Sequence, residues 1–179
     1  TRAPGALLLH ARRKQGAARR DARRLISSPE FQGFLLRSLR WLHGSRRVTS
    51  SASLPEFAAD SLQRLDRAAR KQARRLDWDD AGARHALRIR LKRLRYASDF
   101  FAPLFGPGTA APYLERVESL QEILGELNDV AVARRLLRGL GDRGEIEEKR
   151  AAREARLTRR LGPAWRRFAG QSQFWQARR

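Results

Sequence analysis

Apolar positions recur along the chain three and four residues apart, and no segment alternates with the two-residue period of a half-buried strand. A first helix is predicted from about Gly5 to Ile26, with Leu7, Ala11, Ala18, Ala22 and Leu25 on one face and arginines around the other. "SSPEF" stops it and starts the next, with Ser28 as N-cap and Pro29 at the first helical position. That second helix reaches about His43, where Gly44 serves as C-cap. "GSRRVTSSAS" is the clearest flexible linker, over about residues 44–53. A third helix is predicted from Pro55 to about Leu76, and "DWDD" supplies caps for a fourth that stops before Pro103. Beyond the loop "FGPGTAAP" a long helix runs from about Pro112 to Leu140. After "GDRGE" a charged helix reaches about Leu161, where "GP" is expected to break it ahead of a short aromatic tail, "AWRRFAGQSQFW". The expectation is an all-α chain of six or seven helices.

The fourth helix carries the densest charge. "RHALRIRLKRLRY", Arg84 to Tyr96, puts six Arg or Lys and one His into thirteen positions. At about 100° per residue, His85, Arg88, Lys92 and Arg95 fall on one stripe. Leu87, Leu91, Leu94 and Phe101 flank it on one side and Ile89, Tyr96 and Phe100 on the other, while Arg90 and Arg93, with Ala86 and Ala97, occupy the remaining face. A basic stripe between apolar flanks is expensive to desolvate unless it lines a wet cavity or meets an anion. Asp99 lies on the same stripe and can pair with Arg95, but one carboxylate does not match three cations.

The other helices also segregate their charge. On the long helix Glu115, Glu118, Glu122, Glu126 and Asp129 share a face expected to be solvated, and Val117, Gln121, Leu124, Asn128 and Arg135 share the opposite one. Gln121 and Asn128 suit either core amide pairing or ligand contact. On the third helix Arg64, Arg67, Arg70, Lys71, Arg74 and Arg75 oppose Leu62, Leu65, Ala69, Ala73 and Leu76. On the first, Arg13, Arg20 and Arg24 form one stripe and Arg12, Arg19 and Arg23 another. Each alone reads as a solvated face; together they favour an extended basic groove.

Composition narrows the chemistry. Of 179 residues 41% are hydrophobic, enough for a core, and the formal net charge of +20 invites a polyanionic partner. Only Lys14, Lys71, Lys92 and Lys149 are lysines; the rest are arginines, whose forks suit phosphate. Arginine richness is equally what genomic base composition can produce. The absence of cysteine excludes disulfides, thiolate metal sites and Cys nucleophiles. No apolar run approaches the roughly 20 residues that span a bilayer, so no membrane partner is expected. "ALLL" is too short for a signal segment, and the opening Thr1 leads to the expectation that the natural beginning of the chain is missing.

Residues for turnover are not arranged for it. His10, His43 and His85 lie on different helices without metal spacing, and no glycine-rich phosphate loop occurs. Binding without catalysis, metal or cofactor is the expectation. The aromatics fall on core phases or in the tail, which offers no base-stacking platform, and no helix-turn-helix or other reader motif stands out. The ligand suggested is phosphate backbone without bases.

"HALRIRLKRLRYASDFFAPLFG", followed by "VESLQEILGELNDVAVARRLL", resembles the second repeat of a CHAD domain, the conserved histidine α-helical domain. "SSPEFQGFLLRSLRWL" resembles the family's middle helices and "FAGQSQFW" its closing Phe-Trp segment, so that the likeness runs across essentially the whole chain. The resemblance implies two pseudo-symmetric helical bundles whose basic residues line a central channel that binds inorganic polyphosphate. His85, Arg88, Lys92 and Arg95 would line it. Arg67 and Lys71 match a basic stretch on the preceding helix; Arg13 and Arg20 match only the general arginine-rich character of their helix, and Arg135 completes the candidate set. The family's earlier copy of the His motif, with its L-G-x-x-R-D helix, has no counterpart here, so the first-repeat helices are expected to be missing. "HARRKQGAARR" repeats the offsets with His10, Arg13 and Arg20, but Ala17 stands in place of the Lys, and we read that match as chance.

The expected function is a polyphosphate-binding module, cytoplasmic and targeted to polyphosphate granules. The alternatives are a basic helical protein that binds nucleic acid non-specifically, and an accessory domain of a triphosphate- or polyphosphate-processing enzyme.

Overall fold

In a computed structural model of the chain, which describes residues 4–44, 52–136 and 144–176, all regular structure among the described residues is helical. Six α-helices follow one another: α1 (Pro4–Ile26), α2 (Pro29–His43), α3 (Leu54–Ala73), α4 (Ala81–Phe101), α5 (Ala111–Leu136) and α6 (Gly144–Ala169). Short 3-10 turns cover Ala102–Phe105 and Phe174–Gln176. The linker anticipated over 44–53 lies, from residue 45 to 51, outside the described residues.

Local chemistry sets several helix ends. The Ser28 hydroxyl accepts from the Phe31 N–H and Pro29 opens α2, while the Gly44 N–H closes it onto the Arg40 carbonyl. Ser53 and Glu56 form a capping box at α3: the Ser53 N–H donates to Glu56 Oε2 at 2.7 Å and the Ser53 hydroxyl accepts from the Glu56 N–H. Asp80 caps α4 by accepting from the Gly82 N–H at 2.8 Å. Between α4 and α5 the chain turns through Gly106 and Gly108, both at positive φ, where a side chain would be strained.

The expected break at "GP" does not occur. α6 continues through Gly162 and Pro163 to Ala169 because its buried stripe, Leu157, Leu161, Ala164 and Phe168, keeps helical phase across the proline. Gly162 eases the passage: with no Cβ it avoids the clash that normally drives a residue before proline out of helical geometry. The core therefore outweighs the local breaker.

Two compact units result, one holding α1 and α2 and the other α3 to the C-terminal turn. In the first, α2 buries no residue, and Phe34, Leu36, Trp41 and Leu42 are more than half exposed. In the second, α3 packs on α4, α4 on α5 and α5 on α6, with the core formed by Leu62, Leu87, Leu91, Leu94, Tyr113, Leu120, Leu127, Leu161 and Phe168 among others. The closing segment is part of that core. Phe174 and Trp175 are buried, with ring centroids 5.7 and 5.0 Å from that of Tyr113.

A buried carboxylate ties these pieces together. Asp66 is fully buried and accepts from Arg70 Nε at 2.7 Å, the Tyr113 hydroxyl at 2.8 Å and Gln173 Nε2 at 2.7 Å. Arg70 continues to the Ala169 carbonyl at 2.6 Å and lies over the Phe168 ring. Its assignment to a solvated basic face is thus corrected: Arg70 is structural, and Asp66 is the reason.

Candidate polyanion-binding site

α4 is amphipathic about a buried line of Leu87, Leu91, Leu94 and Ser98, and the two edges of that line carry different charges to different neighbours. One edge holds His85, Arg88, Lys92 and Arg95 beside α5. His85 Nδ1 is 2.8 Å from Asn128 Oδ1. Arg88 lies over Gly125, where an added Cβ would stand 3.8 Å from its Nε. Gln121 donates to the Leu91 carbonyl at 2.9 Å, and Arg95 reaches Glu118 at 3.5 Å and Asp99 at 3.6 Å. Steps of three and seven residues up α4 are met by equal steps down α5, as an antiparallel seam requires. The four side chains therefore form one continuous track.

Exposure divides that track. Arg88, Lys92 and Arg95 are half-buried, and His85 is exposed. Arg95 is already partnered by two carboxylates, whereas among the described residues Arg88 and Lys92 have no ion-pair partner. Gln121 and Asn128 serve as seam amides, holding the α4 backbone and His85 in register. The acidic face of α5 is mostly exposed, but not idle: Glu118 takes Arg95 and Glu126 takes Arg153 at 2.8 Å. The Arg153 hydrogen bond, with the added fields of Arg153, Arg160 and Arg156, holds the Glu126 carboxyl below the usual range.

One expectation about the flanks is overturned. Ile89, Tyr96 and Phe100 do not form a second buried wall; Tyr96 is 58% and Phe100 77% exposed, so two aromatic faces stand in solvent beside the basic track. The buried line lies on one side of the stripe only, because α5 approaches α4 from that side. Helical phase alone could not show which flank meets a neighbour.

The remaining candidates do not all join the track. Lys71 sits across α4, in an open groove of about 500 Å³ that Gln72, Arg75 and Arg90 also line. Arg90 is exposed, as its phase requires, yet it shares this groove with Lys71 and Arg75 and does not face open solvent alone. Arg67 is exposed one turn before Lys71, and Arg135 is exposed near the end of α5, a heptad past Asn128. Arg13 and Arg20 are exposed on α1, in the other unit. Arg84 is different again. It is buried, donates to the Trp78 and Asp79 carbonyls and pairs with Glu154 at 2.8 Å, so it anchors the start of α4 to α6.

Among the described residues the second unit is all-helical, with half-buried, unpaired cations along one helix seam. The CHAD domain family model matches residues 2–138, and the chain belongs to the CHAD family. The match ends before α6 and the closing Phe-Trp segment, so it is shorter than the whole-chain likeness expected from the sequence. No curated protein and no solved structure matches the chain. No helix among the described residues is long and apolar enough to cross a membrane, and none of their His, Asp and Glu side chains form a cluster that could hold a metal ion.

Proposed function

We propose that this CHAD domain binds inorganic polyphosphate along the α4–α5 seam and serves to bring its protein to polyphosphate granules. The observation that carries the reading is the pair Arg88 and Lys92, half-buried and without carboxylate partners. A cation held partly out of water gains most from a charge-assisted phosphate contact, and a track of cations at helical spacing suits a repeating anion. His85, fixed by Asn128, adds a ring nitrogen at one end, and Arg95 extends the track at the other.

A second reading, non-specific binding of single-stranded nucleic acid, is favoured by one observation, the exposed Tyr96 and Phe100 beside the same cations. Stacking on such rings contributes about 1–3 kcal/mol per base. Competition of long-chain polyphosphate against single-stranded DNA, at matched phosphate concentration and physiological salt, separates the two. Polyphosphate is expected to displace DNA; equal or tighter binding of DNA overturns the first reading.

A further inference from the structure

A second basic groove lies on the other side of α5. It measures about 390 Å³ and is lined by Arg156, Arg159, Arg160, Pro163 and Arg167 of α6, with Ser119 and Ile123 of α5. The α5 residues that meet the α4 track, Gln121, Gly125 and Asn128, point roughly half a turn away from Ser119 and Ile123. The two features are therefore separated by the body of a helix, about 10 Å across.

All four arginines are exposed, and among the described residues none has an ion-pair partner. Glu126 of α5, whose carboxyl feels the charges of Arg156 and Arg160, is already engaged by Arg153 at 2.8 Å. The separation of Arg156 from Arg167 along the helix is about 16 Å at 1.5 Å per residue, which exceeds what one phosphate group can touch. Several cations in line suit an extended anion. No aromatic ring lines the groove, in contrast to the α4 track with Tyr96 and Phe100 beside it. Hydroxyl and guanidinium donors without a stacking face suit phosphate oxygens and give a nucleobase nothing to rest on.

We infer that the α5–α6 groove is a second, independent track for a base-free phosphate chain, so that each protein chain holds polyphosphate at two places. The inference rests on polyphosphate being the ligand of the α4–α5 seam. Its consequence is that one long polymer can be gripped twice, or two polymers joined, by a single copy.

Isothermal titration with linear tetraphosphate, too short to span both tracks, counts the sites. Unsubstituted protein is expected to bind two equivalents. Arg160→Ala with Arg167→Ala should remove one and leave the other, and Arg88→Ala with Lys92→Ala should do the reverse, each with at least a tenfold loss at the affected track. Arg64→Ala with Arg93→Ala removes the same charge elsewhere and should leave two. Circular dichroism of each variant checks that the helices remain. A single equivalent abolished by the Arg88 and Lys92 changes, and indifferent to Arg160 and Arg167, overturns the second track while leaving the proposed function standing. A single equivalent with the opposite sensitivity overturns both the seam as the site and the pairing of two tracks, and leaves the groove as the one place bound. No binding by unsubstituted protein overturns both. Displacement of tetraphosphate from the groove by a single-stranded oligonucleotide overturns its assignment to a base-free chain.

Discussion

His85 Nδ1 stands 2.8 Å from Asn128 Oδ1, and with the amide oxygen facing it this nitrogen carries the proton. The ring is thereby fixed at one end of the basic track, with Nε2 left to meet solvent or ligand. Asn128 reaches the track through His85. We expect His85→Ala to weaken polyphosphate binding and Asn128→Ala to weaken it less, with a coupling of about 0.5–1.5 kcal/mol between them in a double-mutant cycle. Additive effects of the two changes would show that the hydrogen bond does not position the ring for binding.

The seam cations differ in what already neutralises them. Arg88→Ala or Lys92→Ala should weaken binding by about 1–3 kcal/mol, since each is half-buried and unpaired. Arg95→Ala should cost less, because Glu118 and Asp99 compete with the ligand for that guanidinium. Arg93→Ala, on the exposed face, should change affinity by well under about 1 kcal/mol. Arg90 is not a neutral comparison, since it shares a groove with Lys71 and Arg75. Affinities measured across a salt series test the ranking, and equal losses at Arg88 and Arg93 would reduce the protein to a diffuse polyanion binder.

Asp66 is the anchor of the second unit. Replacing it with Ala leaves Arg70, Tyr113 and Gln173 without their common acceptor, and should destabilise the fold by about 3–5 kcal/mol, as breaking a buried ion pair does. Tyr113→Phe removes one bond to the same carboxylate and should cost about 1.5–3 kcal/mol. Urea denaturation reads both, and a change below about 0.5 kcal/mol for Asp66→Ala would show that the network adds nothing.

The same tyrosine predicts a pH dependence. Burial first, then the charge of Asp66 and the hydrogen bond to it, push the Tyr113 hydroxyl far above its ordinary value. In the unfolded chain the phenol loses its proton near pH 10 while the folded protein retains it, so the stabilisation is complete below about pH 10 and falls away above it. Stability measured between pH 8 and 11 should fall more steeply for the unsubstituted protein than for Tyr113→Phe. Parallel curves would assign the alkaline loss to other groups.

Pro163 interrupts the hydrogen-bond ladder of α6 without ending the helix. Pro163→Ala restores an N–H for the Arg159 carbonyl and removes ring crowding, and should stabilise the protein by about 1–3 kcal/mol. A lower urea midpoint would mean that the proline ring packs better than the ladder it displaces.

Periodicity, caps and composition by themselves determined the helical class, five of the six helix starts to within a residue, the capping roles of Ser28 and Gly44, and the grouping of His85, Arg88, Lys92 and Arg95 on one face. These are local properties, set within a turn or two of chain. Residues distant in sequence decided the rest. "GP" is a breaker by local rules, and α6 ignores it because four buried positions, two on either side, share one core. Arg70 reads as one more solvated arginine until Asp66 and the carbonyls of α6 meet it. Tyr96 and Phe100 have the phase of a packed flank, but α3 and α5 approach α4 elsewhere, and the rings stay in water. Helical phase says which side chains stand together; only the neighbouring helices decide whether the face they share is buried, paired or left open to a ligand.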